Sequence, residues 1–208
     1  MKRLTYFHIT WISLALFLLL TMGVISDSHL TTTIDTQLMS QIDSIRTPSL
    51  TQFFILVTNI GSPLIISLMA TILIFATNYK SLKNIIYLLI YYFGTSALGL
   101  VLKHVFMRSR PDNQILADTG FSYPSGHALC ITLFLFLIIF LVRKTQLNYL
   151  RWGIILLTSL AVLADMFSRV YLRDHFPTDI FASFLLSSTA YSIFMAFYLT
   201  FFKHKHLH

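Results

Sequence analysis

Six long apolar segments constrain the fold of this chain more than any other feature of its sequence. They cover residues 4–25, 53–77, 85–106, 127–142, 150–167 and 180–202. A helix needs about 20 residues to cross the hydrocarbon core of a bilayer, and each segment is this long or nearly so. The fourth segment is the shortest, and we expect its helix to extend beyond Val142. The sequence therefore predicts an all-α, integral membrane bundle of six transmembrane helices, in one domain covering residues 1–208.

The composition supports a membrane protein and narrows the classes of partner. Hydrophobic residues make up 56% of the 208 residues and charged residues 11%, whereas a soluble domain has about 25% charged residues. The formal net charge is +7, but the basic residues are divided between short loops and local clusters. Because they form no basic stripe, we expect no nucleic-acid partner. Cys130 is the single cysteine, so no internal disulfide can form.

The basic residues also predict the orientation of the bundle. With the N-terminus in the cytoplasm, the inner side holds more lysine and arginine than the outer side, as the positive-inside rule requires. The inner set is Lys2, Arg3, Lys80, Lys83, Arg143, Lys144, Arg151, Lys203 and Lys205, and the outer set is Arg46, Lys103, Arg108, Arg110, Arg169 and Arg173. We therefore expect a multi-pass protein of the cytoplasmic membrane with both termini in the cytoplasm. Cleavage of the first segment as a signal peptide is the alternative.

The longest outer loop, about residues 26–52, has its own apolar pattern. Ile34, Leu38, Ile42 and Ile45 recur at helical spacing between polar residues. This pattern fits an amphipathic helix lying on the outer surface, and it fits a loop packed on the bundle equally well.

Three short polar clusters lie at the ends of the apolar segments. They are Lys103…Arg110-Pro111, then Pro124-Ser125-Gly126-His127, and then Ser168-Arg169…His175…Asp179. Ionisable groups beside membrane segments are costly unless they have partners or a function. Six alternating crossings would bring all three clusters to the outer side of the membrane, where they could form one site.

The types of residue in these clusters suit a phosphate group. The fourth and sixth helices would begin on the outer side, and their free N–H groups and dipoles favour an anion. Ser125 is a good N-cap, and Gly126 lets the backbone approach a ligand closely. Lys103, Arg110 and Arg169 can neutralise phosphate oxygens, the arginines through paired hydrogen bonds.

Two histidines and one carboxylate suggest divided catalytic roles. Asp179 lies within reach of His175, where it can fix the imidazole tautomer and leave the other ring nitrogen as a nucleophile. His127 would then act as the general acid that protonates the leaving oxygen. The reverse assignment stays open, although His127 has no carboxylate neighbour in the sequence.

The three clusters, in this order and spacing, resemble the signature of the type-2 phosphatidic acid phosphatase superfamily without a substitution. The resemblance implies metal-independent phosphoester or phosphoanhydride hydrolysis through a phosphohistidine, with no cofactor. It implies that Lys103, Arg110, Ser125, Gly126 and Arg169 bind phosphate, while His175, His127 and Asp179 are nucleophile, acid and orienting carboxylate. The stretch 58–62 also looks like one that these proteins carry at the start of their second helix. One departure is Ser183, where many relatives have glycine.

The expected substrate is a lipid phosphate or diphosphate, reached from the surrounding membrane lipid. The small six-helix form is similar to bacterial lipid phosphatases, and we favour hydrolysis of undecaprenyl diphosphate to undecaprenyl phosphate. Phosphatidylglycerophosphate and phosphatidate are the alternative substrates. Two other classes stay open, a lipid phosphotransferase and a non-catalytic lipid-phosphate binder. The sequence gives no information on the oligomeric state.

Three further charged residues lie near the clusters. Asp165 precedes Arg169 by four residues, on the same helical face, and we expect it either to support Arg169 from behind or to be solvated at the water boundary. Arg108 and Arg173 flank the site, and solvated loop positions are favoured for both over contact with a head group.

Overall fold

The computed structural model describes residues 2–143 and 145–201, and every regular element in these ranges is a helix. The all-α prediction is therefore confirmed for this part of the chain. The elements are α1 (Lys2–Ile25), α2 (His29–Ser44), α3 (Pro48–Ile60), α4 (Pro63–Asn78), α5 (Leu82–Leu89), a π turn (Ile90–Gly94), α6 (Thr95–Phe106), α7 (Gly126–Val142), α8 (Asn148–Tyr171) and α9 (Pro177–Phe201). Lys144, Lys203, Lys205 and the predicted cytoplasmic C-terminus lie outside the described residues.

Several helices have the length and composition needed to cross a membrane. Four described segments qualify individually: Leu4–Ile25, Leu82–Phe106, Asn148–Tyr171 and Pro177–Phe201. The pair α3 and α4, bent by 43°, would be a fifth if it counts as one span. α7 is apolar but has only 17 residues. The expectation that the fourth segment continues past Val142 is wrong, because Arg143 folds back to donate to the Phe140 carbonyl and its guanidinium lies 3.3 Å from the Phe140 ring centroid.

The break between α3 and α4 divides what the apolar pattern suggests is one segment. Gly61 follows the last residue of α3, and Pro63 opens α4. Proline has no N–H to continue the hydrogen-bond ladder and clashes with the preceding turn, so a helix ends before it. The stretch 58–62 lies at this break and not at the start of the segment.

The centre of the bundle is formed by α7 and α9. Ten residues of α7 are buried, and α9 packs along α1 on its other side. Hydroxyl groups join α1 and α9, with Thr10 donating to Ser192 at 2.9 Å and Thr189 donating to Ser13 at 2.8 Å. Such bonds between small polar residues let two helices approach closely. The first turns of α7 and α9, where the second and third clusters lie, therefore belong to the two central helices of the bundle.

The loop between the first two apolar segments contains a helix, α2, but its packed face differs from the predicted one. The buried residues are Thr31, Asp35 and Met39. Of the predicted stripe, Ile42 packs partly buried against the core, while Leu38 and Ile45 are exposed. The reason is that Asp35 accepts hydrogen bonds from the start of α9. Polar bonds, and not the apolar stripe, decide which side of α2 meets the bundle.

Candidate active site

The structure brings the three clusters together at one end of the bundle. Lys103 lies in the last turn of α6, Ser125 to His127 open α7, Arg169 lies in the last turn of α8, and Asp179 lies in the first turn of α9. Arg110 and His175 come from the connecting loops, and the Arg110 guanidinium lies 3.4 Å from His175 Nε2. These eight residues were singled out from the sequence, and they share one site.

His175 and Asp179 form a buried pair. Nδ1 of His175 lies 3.3 Å from Oδ2 of Asp179, and the two side chains are 1% and 0% exposed. The pair spans the turn that leads into α9, so the i,i+4 spacing places both groups on the same side. Burial lowers the pKa of His175 to about 4, although the hydrogen bond and charge of Asp179 act in the opposite direction. The imidazole is therefore neutral at pH 7.

Three other donors bind the Asp179 carboxylate. The Ser122 hydroxyl donates to Oδ2, the Phe176 N–H donates to Oδ2 at 2.9 Å, and Arg108 Nη1 donates to Oδ1 at 2.5 Å. Ser122 also lies 3.3 Å from Nδ1 of His175. The expectation of a solvated position for Arg108 is wrong, because its guanidinium spans two buried carboxylates.

The start of α7 is tied to the start of α9. Ser125 accepts from the Ala128 N–H at 3.4 Å as the N-cap of α7, and the Ser183 hydroxyl donates to the Ser125 carbonyl at 2.9 Å. Ser183 thus fills the position of the expected glycine with a bond that fixes the two helix starts. His127 is half-buried and makes no hydrogen bond within the described part of the chain. Its ring lies within electrostatic range of Arg169 and His175.

A loop segment, residues 118–122, supplies acceptors to all three signature cations, and we call it the acceptor loop. Lys103 Nζ donates to the Phe121 carbonyl at 2.6 Å. Arg110 donates to the carbonyls of Gly120 and Thr119 at 3.0 and 3.1 Å. The acceptor loop therefore lies across the cations as a set of built-in oxygen ligands.

Asp118 adds a carboxylate to this set. Its Oδ2 lies 2.7 Å from Arg169 Nη2 and 3.2 Å from Arg110 Nη1, and its side chain is 36% exposed. Burial opposes the ionised form, but the charges of Arg110 and Arg169 prevail and lower the pKa of Asp118. A carboxylate thus lies between two of the cations that the sequence assigns to phosphate.

Arg169 is anchored from behind by Thr58 and Asp174. Its Nη1 donates to Thr58 Oγ1 at 2.6 Å and lies 3.2 Å from Asp174 Oδ2. Burial raises the pKa of Asp174 to about 6, against the opposing charge of Arg169. Thr58 belongs to the stretch 58–62 at the α3–α4 break, and this bond brings that stretch to the site.

Asp165 is buried but is not hydrogen-bonded to Arg169. Neither of its carboxylate oxygens has a hydrogen-bond partner among the described residues, and the side chain packs against Gly61 at the α3–α4 break. It is 1% exposed, so it is not solvated at the water boundary. Arg173 lies apart from the cluster, paired with Asp43 and donating to the Asp112 carbonyl.

Several residues of the site carry no signal in the sequence. Ser122 and Asp118 lie in the α6–α7 loop and Asp35 lies on α2, and no spacing rule connects them to α9.

Within the ranges 2–143 and 145–201, no group of three or more His, Cys, Asp or Glu side chains is arranged to hold a metal ion.

The described part of the chain is an all-helical bundle with helices of membrane-spanning length, in which a buried His–Asp pair lies beside three cations. The chain matches the PAP2 superfamily over residues 84–204, and it belongs to that family of lipid phosphatases. The matched range contains every residue of the three clusters.

Two curated relatives have lengths similar to this chain. Phosphatidylglycerophosphatase B of Bacillus subtilis (strain 168) is 32% identical over 157 residues, which cover 68% of this chain and 72% of that protein. Undecaprenyl-diphosphatase of Sulfolobus acidocaldarius is 29% identical over 187 residues, which cover 86% and 85% respectively.

Two solved structures share the fold. The phosphatidylglycerolphosphate phosphatase of Bacillus subtilis, a transmembrane protein of PAP2 type, superposes with a TM-score of 0.81 at 22% identity, covering 96% of this chain and 98% of that one. Aquifex aeolicus LpxE gives a TM-score of 0.62 at 20% identity, covering 77% and 94%. The near-complete coverage of the first structure shows that the two chains share one helical fold.

Proposed function

We propose that this protein hydrolyses a lipid phosphate or diphosphate through a phosphohistidine on His175. The observation that carries the proposal is the buried His175–Asp179 pair, in which Nδ1 faces Asp179 and Nε2 lies 3.4 Å from Arg110 Nη1. Asp179 accepts a hydrogen bond from Nδ1–H of His175, so the imidazole proton stays on Nδ1 and the Nε2 lone pair is available for attack. The pKa of His175, lowered to about 4 by burial, keeps this nitrogen unprotonated at neutral pH.

The substrate phosphate would take the place of Asp118. Lys103, Arg110 and Arg169 would bind its oxygens, together with the N–H groups at the start of α7 beside Ser125 and Gly126. These groups bear the charge that develops in the transition state, so we propose a reaction without a metal or cofactor. When the phosphate binds, the three cations would release the oxygens of the acceptor loop and donate their hydrogen bonds to the phosphate oxygens instead.

The proposed chemistry has two steps. In the first, His175 Nε2 forms a bond to phosphorus while the bond to the leaving oxygen breaks. His127, protonated once the negative phosphate is bound beside it, gives its proton to that oxygen and becomes neutral. In the second, water attacks the phosphohistidine, His127 takes its proton, and the N–P bond breaks to release inorganic phosphate. His175 is then neutral again, with its proton on Nδ1 and hydrogen-bonded to Asp179. Both histidines are back in their starting states for another turnover.

An apolar groove at the surface of the bundle supports a lipid substrate. It has a volume of about 500 Å³ and lies between α9 and the stretch that contains the π turn and the start of α6, with Gly94, Leu98, Leu186 and Ile193 among its lining residues. Leu98 precedes Lys103 by five residues on α6, so at 1.5 Å per residue the groove begins about 8 Å from the cation cluster. An acyl or isoprenyl chain fits this apolar lining.

The choice of lipid follows the sequence analysis. We favour undecaprenyl diphosphate, with phosphatidylglycerophosphate or phosphatidate second, and the two curated relatives carry one name from each class. We further propose one domain over residues 1–208, in the cytoplasmic membrane, with both termini in the cytoplasm and the site on the outer face. The partners are its lipid substrate and the membrane, and no nucleic acid.

The experiment is phosphate release by the purified protein from a panel of these three lipids in detergent micelles. His175→Ala should abolish release, and His29→Ala, an exposed histidine on α2, serves as the matched control and should retain full turnover. Full turnover by His175→Ala would contradict the mechanism. Transfer of phosphate to a second lipid would identify a phosphotransferase, and tight binding without release would identify a binder.

A further inference from the structure

We propose that Asp35, on α2, is a positioning residue for this reaction. It acts through Arg108 and Thr178 on the Asp179 carboxylate, and through that carboxylate on His175. The inference rests on the proposed function, because it gives Asp35 a part in the orientation of the proposed nucleophile. Asp35 lies 140 positions before His175 in the chain, outside the three clusters and outside the matched range of the family.

The Asp35 carboxylate is buried and fully engaged. It is 3% exposed. Its Oδ1 accepts from the Thr178 N–H at 2.9 Å, and its Oδ2 accepts from the Thr178 hydroxyl and from Arg108 Nη2, each at 2.7 Å. A buried carboxylate is costly unless donors surround it. Asp35 has three donors, from Thr178 and Arg108. Thr178 is the residue before Asp179, and Arg108 binds the Asp179 carboxylate.

Arg108 transmits this contact to the site. One guanidinium nitrogen, Nη2, binds Asp35, and the other, Nη1, binds Asp179 Oδ1 at 2.5 Å and the Thr178 hydroxyl at 2.8 Å. The planar fork fixes the relative placement of the two carboxylates. The Phe176 ring supports the guanidinium from one face at 4.1 Å.

Asp35 also caps the helix that carries Asp179. The Thr178 N–H is one of the free amides in the first turn of α9, and a carboxylate from another helix satisfies it. Asp179 is the next residue, so the cap fixes its backbone as the Arg108 fork fixes its side chain.

The charges explain why a second carboxylate is useful here. Arg108 alone would largely neutralise Asp179. Because Asp35 shares the guanidinium charge, Asp179 can be held in place and still stabilise the positive imidazole that forms when Nε2 bonds to phosphorus. Arg108 can thus orient the Asp179 carboxylate without cancelling its negative charge.

The test is the substitution Asp35→Asn, assayed as phosphate release from phosphatidate or undecaprenyl diphosphate, whichever wild-type protein hydrolyses with the higher kcat/KM. An asparagine keeps an acceptor for the Thr178 N–H but presents an amide donor to Arg108. We expect kcat to fall about tenfold or more, with KM changed by less than about twofold, because Asp35 does not touch the phosphate.

Asp43→Asn is the matched control. Asp43 lies two turns further along α2 and pairs with Arg46 and Arg173, so its loss weakens the docking of α2 without reaching Asp179. If it lowers kcat as much as Asp35→Asn does, the effect belongs to helix docking and the inference is overturned. An unchanged kcat in Asp35→Asn also overturns it.

A second pair of variants covers the case in which Asp35→Asn does not fold. Thr178→Val removes the hydroxyl between Asp35 and Arg108 at nearly the same volume, and Thr178→Ser keeps it. We expect Thr178→Val to lower kcat and Thr178→Ser to retain it, whereas equal kcat values would contradict the inference.

His175→Ala, assayed in the same way, separates this inference from the proposed function. Turnover in that variant removes the proposed function, while its inactivity together with full kcat in Asp35→Asn and Thr178→Val removes the role of Asp35 alone.

Discussion

At the scale of single residues, the Asp179 carboxylate fixes the protonation pattern of the site. Four donors converge on it, from Ser122, Phe176, Arg108 and His175. An ionised carboxylate has about four acceptor positions, and a protonated one has fewer. Three of these donors, from Ser122, Phe176 and Arg108, do not depend on the tautomer of His175 and favour an ionised Asp179. We therefore assign the imidazole proton to Nδ1, next to this carboxylate, which leaves the Nε2 lone pair facing Arg110.

The acid side of the pH profile should report the titration of His175. Protonated His175 is not a nucleophile, so kcat/KM falls as the pH drops through its pKa, about 4. The Asp179 hydrogen bond and charge raise this pKa, and Asp179→Asn should therefore move the acid limb to lower pH while kcat falls about a hundredfold or more. The measurement is kcat/KM from about pH 3 to pH 8 with one lipid, whose own ionisation is the same for both proteins. A shift of the limb to higher pH would contradict this assignment.

Asp118 should compete with phosphate for Arg110 and Arg169. Its replacement by asparagine removes the carboxylate between them, so the inhibition constant of inorganic phosphate should fall about threefold to tenfold. Asp112→Asn makes the same change of charge at an exposed position of the same loop and serves as the control. Equal changes in both variants would mean a long-range charge effect, and weaker phosphate inhibition in Asp118→Asn would rule out competition.

The sequence predicted the members of this site more fully than their neighbours. His175 and Asp179 could be paired from the sequence because four residues separate them at a helix start, and a helix start has known geometry. Ser122 and Asp118 could not be assigned, because the path of the long loop between α6 and α7 is decided by tertiary contacts. Arg108 was assigned to solvent for the same reason, since its partner Asp35 lies on a distant helix.

At the scale of helices and their breaks, the α3–α4 junction that Pro63 sets can pack closely on α8 because Gly61 has no side chain. A side chain at Gly61 would overlap the Asp165 carboxylate and crowd the Val57 carbonyl. The hydropathy pattern alone merges α3 and α4 into one segment, although Pro63 marks the break. The packed face of α2 is rotated from the predicted stripe, with which it shares Ile42, because the buried Asp35 binds the start of α9.

Gly61→Ala should destabilise the packing of this break on α8. The added methyl group displaces Asp165, and overpacking of this kind costs about 1–3 kcal/mol, or several degrees in the midpoint of thermal unfolding in detergent. Asp165→Ala in the same chain removes the obstacle and should recover part of the loss. If the double variant loses as much as the two single variants together, the two residues do not clash and the explanation is wrong.

At the scale of the whole molecule, the proposed orientation depends on how many segments cross the bilayer. The described helices give four spans, or five with the bent pair α3–α4, and α7 is shorter than a usual crossing. The all-helical class followed from composition and segment length. The number of crossings could not be fixed in the same way, because a broken pair and a 17-residue helix can each lie in a membrane in more than one manner.

Thiol labelling in intact cells tests the orientation directly. Cys130 is buried, and after its replacement by alanine a new cysteine can be placed at Asn113 in the α6–α7 loop or at Gln146 in the α7–α8 loop, both exposed. Asn113→Cys should react with a membrane-impermeant maleimide, and Gln146→Cys should react only after the cells are permeabilised. The opposite pattern would place the site in the cytoplasm, and labelling of both in intact cells would contradict a crossing by α7.

The acceptor loop has a consequence for the end of the catalytic cycle. A site that gathers Lys103, Arg110 and Arg169 around a small anion would hold inorganic phosphate strongly after hydrolysis. Because the carbonyls of the loop and the Asp118 carboxylate can return to the same cations, the departing product is exchanged for internal ligands and leaves no uncompensated charge behind. If the proposed function holds, we expect this exchange to speed the release of phosphate and to limit the product inhibition that so basic a site would otherwise cause.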